Sequence, residues 1–414
     1  FVARLCASMP FDWSMEVLGR EMRLHPGERL FLAYAFLLVA FYFLYTRAVS
    51  QGWSFSPFIL VIMSIFVAAV MIQNMTMAVL LLGMAATVAV LIVQAGQWAR
   101  VDAGLQYLVT MGLAIPPLLL AAHLTEVRIL DPSDTAVPRI AGFFLVLGAV
   151  LLFGAAPFQS WTVTVSGQAP PLVSAFLFSV GSGVVIFKLL GLFHRFPWLM
   201  VGGNVAYLLF VAGLGSVVVG GVLAAVQRKF GGLLAWSVLI DTGFLLIGLS
   251  SSSVEMLAVL TLMVLNRGIS VSLFGMGLGV LRRQRVSHAF ADMAGVIWQK
   301  PFAVLAVGVG ALSLVGFPLT GGFTARWLAV QSLPVEVQRW VTVLILASII
   351  ASLGVLRGVA ATLGEPPAPS EEAEPLTLRL LVLGFVLVGM LLALYPQTVL
   401  DPFASIMSSL VIPR

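Results

Sequence analysis

Charge is what this sequence has least of: 9% of its 414 residues are Asp, Glu, Lys or Arg, while 60% are hydrophobic. Soluble domains run nearer ~25% charged and ~45–50% apolar, so an ordinary water-soluble fold is excluded and a polytopic membrane protein is expected. A single cysteine, Cys6, leaves no disulfide and no thiolate metal site. No basic run is interleaved with aromatics, so the formal charge of +5 reads as membrane-flanking charge in short loops and not as a nucleic-acid surface. Cofactor motifs are missing as well. Gly213-Leu214-Gly215 and Gly275-Met276-Gly277-Leu278-Gly279 follow no phosphate-binding pattern and lie in apolar runs, where glycine serves helix packing. His123 and Glu126 close a span without a third ligand, and His194 and His288 flank loops, so no metal site is expected. The sequence starts on Phe1 with no charged-then-apolar leader, and the expectation is that its true start is lacking.

Long hydrophobic runs are what it has in plenty. A crossing needs roughly 20 mostly apolar residues. Windows of that length give about twelve, near 27–49, 55–73, 75–95, 103–124, 136–157, 169–194, 200–226, 230–249, 253–281, 299–332, 336–362 and 376–396. The chain then divides into an amino-terminal segment 1–26, a transmembrane core 27–362, an acidic, proline-rich loop 363–375, and a last helix and tail 376–414. Loop charge does not orient it. Arg282, Arg283, Arg285 and Lys300 fall with Arg47, Arg100, Arg228 and Lys229 by parity, against Arg4, Arg20, Arg23, Arg128, Arg139 and Arg195.

Two crossings are interrupted. In 157–188 the chain reads Pro157-Phe158-Gln159-Ser160-Trp161, a polar strip 162–168, then Ala169-Pro170-Pro171 and an apolar helix carrying Ser182 and Lys188. Proline removes backbone donors, and broken backbone at membrane depth is tolerated only when packed in protein or lining a wet cavity. Gly316-Phe317-Pro318-Leu319-Thr320-Gly321-Gly322-Phe323 breaks a second run, five spans later. The spacing predicts an all-α membrane fold of two inverted five-helix repeats with matched breaks near Pro157 and Pro318, a transporter layout.

The wording around the first break, Pro157-Phe158-x-x-Trp161, Ala169-Pro170 and Val173-Ser174-Ala175-x-Leu177, resembles the antiporter-like membrane subunits of respiratory complex I. That family is shared with Mrp-type cation/proton antiporters and membrane-bound hydrogenases. Arg23-Leu24-His25, with histidine where the family usually has aspartate, extends the match. So do Gln227 with Leu233-Leu234-Ala235-Trp236-Ser237, Gly243-Phe244, Leu312 to Pro318 and Arg326-Trp327. The resemblance implies a fourteen-helix core of which twelve helices remain here. It also implies a mid-membrane proton relay of one glutamate and several lysines. This sequence has replaced most of that relay. The glutamate position carries Met84 or Ala85, the seventh-helix lysine Leu152, the eighth-helix lysine Ser182, and the Lys-Arg of the next motif Gly231-Gly232, while the family's histidine after Pro-Phe is Gln159. Around Asn266 the family's histidine and lysine become Arg267 and Val271, and the last relay position keeps a charge as Arg326.

Ionisable groups at that depth are costly and functional by default. Lys188, Asp241, Arg267 and Arg326 are therefore the candidates for a rerouted proton path, with Arg357 and Glu255 nearer span ends. The competing reading is a structural ion pair joining Asp241 to Arg267 or Lys188. The resemblance implies a multi-pass subunit of a bacterial inner membrane. Its partners would be the lipid bilayer and the other membrane subunits of a complex I-like assembly, which alone would touch NADH and quinone. The chain itself would hold no catalytic centre and no cofactor, either translocating protons or surviving as a degenerate, structural paralogue. The alternative is a partner in an ion antiporter, hydrogenase or inorganic-carbon-uptake complex.

Overall fold

The computed structural model describes residues 14–17, 20–95, 101–130, 136–202, 204–251, 253–284, 289–365 and 373–401. Cys6, Arg4, Arg100, Arg285, His288 and residues 366–372 of the acidic loop lie outside them. Among the described residues, ten helices are long and apolar enough to cross a membrane, and two shorter apolar ones, Phe55–Met71 and Pro301–Val315, complete the expected twelve crossings.

A feature the all-helical expectation missed comes first. Strands β1 (Ser14–Val17) and β2 (Arg20–Arg23) form an antiparallel hairpin with Ser14 opposite Arg23. Its open edge is satisfied locally, through a bridge from Met22 to Ile72 and a bond from Gln73 N to Glu21 O. Helix α1 (Pro26–Thr46) then starts on a proline at its first turn, where the missing N–H costs nothing, and Glu28 reaches back to the His25 N–H at 2.9 Å. α2 (Phe55–Met71), α3 (Met75–Val93) and α4 (Val101–Leu130) follow, α3 capped by Asn74 Oδ1 on Met77 N at 2.9 Å. α4 is longer than the sequence indicates, running through Pro116 and Pro117.

The first break separates α5 (Ala136–Phe153) from α6 (Ser160–Gln168), so the polar strip 162–168 is a short helix and the irregular backbone lies on either side of it. The remaining long helices are α7 (Pro171–Arg195), α8 (Val205–Val226), α9 (Phe230–Leu249), α10 (Val254–Gln284), α11 (Pro301–Val315), α12 (Gly321–Gln331), α13 (Val341–Ala360) and α14 (Leu376–Leu394). The second break falls between α11 and α12.

Both breaks are built the same way. Gly154 (φ 59°) and Gly316 (φ 78°) take the left-handed conformation that glycine adopts without strain. Each closes its helix with the same two bonds: Gly154 N to Leu151 O and Ala155 N to Val150 O, matched by Gly316 N to Ser313 O and Phe317 N to Leu312 O. A proline follows each, Pro157 and Pro318. Neighbour relations repeat too: α4 packs on α5 and α6 as α10 packs on α11 and α12, and α2 on α3 as α8 on α9. Five crossings per unit is an odd number, so the second unit runs through the membrane inverted.

The two units bury α9 and α10 at the centre. About 89% of each helix's apolar stretch is buried, against 22% for α14, so lipid cannot reach the polar groups they carry. α7 contributes a π turn, Leu177–Gly181, closed by Ser182, whose Oγ donates to Phe178 O at 2.6 Å. Such bulges leave carbonyls outside the regular helix ladder and occur at functional positions. At the far end, Glu374, read from sequence as part of the acidic, proline-rich loop, is buried. Its oxygens accept from Phe302 N (3.2 Å) and Ala303 N (2.8 Å), capping the first turn of α11.

Candidate functional site

Asp241 on α9 stands between two arginines brought from α10 and α12. Arg267 Nη1 donates to Asp241 Oδ2 at 2.9 Å and to Thr242 Oγ1 at 3.0 Å, while Arg326 Nη2 lies 3.3 Å from Asp241 Oδ1. All three are buried, at 3%, 1% and 5% exposure for Asp241, Arg267 and Arg326. Each arginine also takes a carbonyl that helix irregularity has released. Arg267 Nε donates to Phe178 O in the π turn at 2.5 Å, and Arg326 Nη2 donates to Leu314 O, an orphan carbonyl at the end of α11. The face of Phe244 lies 4.6 Å from the Arg326 guanidinium, a cation–π contact. Arg326 Nε and Nη1 have no hydrogen-bond partner, and the cluster carries two cations to one anion.

Two separate groups of polar side chains draw on the helices that carry the cluster. Ser313 Oγ bonds Ser270 Oγ (2.7 Å) and Asn266 Oδ1 (3.3 Å) and accepts from Gly322 N (3.2 Å) at the second break. On the other flank, the Tyr42 hydroxyl bonds Ser272 Oγ (2.7 Å) and Ser179 Oγ (3.3 Å).

The positions read as replaced relay groups gather beside this cluster. Leu152, Ser182 and Arg267 line one cavity of about 50 Å³ with Leu82, Ala86 and Val185. Of the two residues at the glutamate position, Ala85 is buried and Met84 is exposed, so Ala85 is the inward one. Gly231 sits elsewhere, at the start of α9. A β-carbon there would lie 2.7 Å from Arg282 Nη2 and 2.9 Å from Ser166 O. Arg282 uses that space to donate to Ala169 O (2.9 Å) and Ser166 O (2.5 Å), closing the carboxyl end of α6.

Lys188 is the residue that the structure does not bring in. The sequence left open a pairing with Asp241, but Asp241 is taken by the two arginines. Lys188 Nζ instead donates to Val70 O (3.3 Å) and Ile72 O at the carboxyl end of α2. It faces a separate cavity of about 380 Å³ together with His25, His194 and Glu28, a buried carboxylate that the sequence reading passed over. The capping spacing of Glu28, three residues after His25, was the available signal. Burial first, and the charge of Arg23 next, hold the His25 imidazole below its ordinary value, so it is neutral at pH 7. Leu82, Leu152 and Val185 line both cavities and form the wall between them. Arg357 is engaged by the Gln227 carbonyl at the end of α8.

Inverted repeats broken at matched glycines, around buried charge on the central helices, define a polytopic membrane protein of the antiporter-like fold. The family model for the transmembrane part of NADH:quinone oxidoreductase and Mrp antiporter subunits matches residues 73–353, and the chain belongs to that family. It is 29% identical over 297 residues to NADH-quinone oxidoreductase subunit N of Acidithiobacillus ferrooxidans, covering 65% of this chain and 59% of that one. It is 31% identical over 220 residues to NADH-ubiquinone oxidoreductase chain 2 of Metridium senile, covering 53% of each. The chain thus spans little more than half the length of these relatives. Among solved structures it superimposes on a chain of the Mrp complex from a Dietzia species (TM-score 0.83, 16% identity, 95% of this chain and 85% of that). It also superimposes on a chain of respiratory complex I from Thermus thermophilus (TM-score 0.79, 18% identity, 98% and 91%). At those identities the likeness is one of fold.

Proposed function

We propose that this chain is a membrane subunit of a complex I-type NADH:quinone oxidoreductase assembly of a bacterial inner membrane, and that its antiporter-like core is a non-conducting, structural version of the fold. NADH and quinone would be handled by partner subunits. The observation that carries this reading is the Arg267–Asp241–Arg326 cluster. A proton relay needs groups that release and regain a proton near the working pH, and arginine keeps its proton at any accessible pH. Both Asp241 oxygens are occupied by guanidinium groups, and the neighbouring relay positions carry Ala85, Leu152 and Ser182, which hold no exchangeable charge. The cluster supports a clamp joining α7, α9, α10, α11 and α12, because it ties a side chain or released carbonyl of each to one carboxylate.

The test is proton pumping by the reconstituted assembly carrying Asp241→Leu, Arg267→Met and Arg326→Met together. Apolar replacement of a whole buried ion cluster preserves packing. The ratio of protons moved to NADH oxidised should be unchanged. A lower ratio, with subunit content and NADH oxidation intact, would show that the cluster conducts.

A further inference from the structure

We propose that the 380 Å³ cavity beside Lys188 is a binding site for one acyl chain of an anionic phospholipid, whose phosphate rests against Lys188 and Arg195 at its mouth.

The cavity lies between α1, α3, α4, α5 and α7. Its polar residues gather at one end: His25 before α1, Gln73 after α2, and His194 and Arg195 at the end of α7. Its deeper walls are hydrocarbon, among them Leu82, Leu118, Ala149, Leu152 and Val185. From Arg195 inward to Val185 is ten residues of helix, about 15 Å at the helical rise. That is about half of the ~30 Å hydrocarbon thickness, the depth that one lipid chain occupies.

A space this large is not left empty in a packed protein. Apolar cavities of roughly 150 Å³ stay dry and accept benzene, so the deep part of this one suits hydrocarbon better than water. The mouth then selects the head. Two basic side chains, Lys188 and Arg195, stand at the mouth against one carboxyl group, that of Glu28. Glu28 Oε2 is already held by the His25 N–H at the start of α1, while Lys188 and Arg195 donate to the carbonyls that end α2, so the groups facing the mouth are predominantly basic. A phosphodiester carries one negative charge. Basic pockets between transmembrane helices take anionic headgroups by the same complementarity. Gly191 widens the site: a β-carbon there would stand 3.6 Å from Glu28 Oε1.

The experiment uses the assembly reconstituted with a phosphatidylglycerol that bears a photoreactive group midway along one chain, and maps the labelled peptides. Label should concentrate on 145–152 and 185–192. Unlabelled phosphatidylglycerol should displace it at about tenfold lower concentration than phosphatidylcholine, the worth of one charge contact. Millimolar inorganic phosphate should leave it unchanged. Ala149→Trp, which fills the hydrocarbon part, should remove that label while the rest of the membrane face still reacts. Arg195→Gln, at the exposed mouth and away from the interior, should erase the preference for phosphatidylglycerol. Label spread evenly over lipid-facing helices, equal displacement by phosphatidylcholine, displacement by phosphate alone, or indifference to both variants would each overturn the proposal.

Discussion

Arg267 Nε donates at 2.5 Å to the carbonyl of Phe178, which lies in the π turn four residues ahead of Ser182. A positive charge therefore sits beside Ser182, the residue read from sequence as standing at the eighth-helix lysine position, because α10 delivers it from the second repeat. At Gly231, read from sequence as another replaced basic position, Arg282 from α10 likewise fills the space.

Breaking the buried cluster at its centre should be costly. Asp241→Asn leaves two guanidinium groups facing one another without a counter-charge, and the expected loss is about 3–5 kcal/mol. Thermal unfolding in detergent should show it, and the triple apolar variant should unfold well above Asp241→Asn. A single variant as stable as the triple one would mean that the pairing does not hold these helices.

Glycines separate into two kinds. Gly231→Ala pushes a methyl into Arg282 and the Ser166 carbonyl and should destabilise by about 1–3 kcal/mol. Gly384→Ala, within α14 with open space at the new methyl, should be stabilising by about 0.5–1 kcal/mol. Paired melting curves decide it, since the two substitutions add the same group.

Glu374→Ala removes the acceptor for Phe302 N and Ala303 N and should cost about 1 kcal/mol, with the first half of α11 exchanging amide hydrogens faster. Exchange unchanged at 302–304 would remove the cap from the account.

Acid should weaken the junction at His25. Its folded value is depressed below 6.5, so as pH falls through that range the unfolded chain takes up a proton that the native one refuses. Stability present above pH 6.5 is progressively lost below it. His25→Asn should flatten that part of the pH–stability curve. An unchanged slope would assign it to other groups.

The architecture was legible because hydrophobic length and the two Gly-Pro breaks are local signals. All twelve crossings fall within a few residues of where apolar run length puts them, except that α4 and the end of α10 extend further. The hairpin 14–23 was not legible, since four-residue strands that close their edge on the turn after α2 depend on distant backbone. Asp241 with Arg267 was among the pairings the sequence offered. Arg326 as a second partner was not, because it requires the break before α12 to turn that helix inward against α9. Lys188 went astray for the opposite reason: its partners are main-chain carbonyls of α2, and sequence gives no sign of which carbonyls a fold leaves open.

The surplus of one positive charge at Asp241 also bears on any water that enters. Molecules approaching a guanidinium from either face turn their oxygens towards it and their hydrogens away. Two short chains of water meeting there would be polarised in opposite senses, and a hopping proton would find no continuous direction of travel across the junction. On the proposed non-conducting reading, the fold is closed to protons electrically, even with water on both sides of its middle.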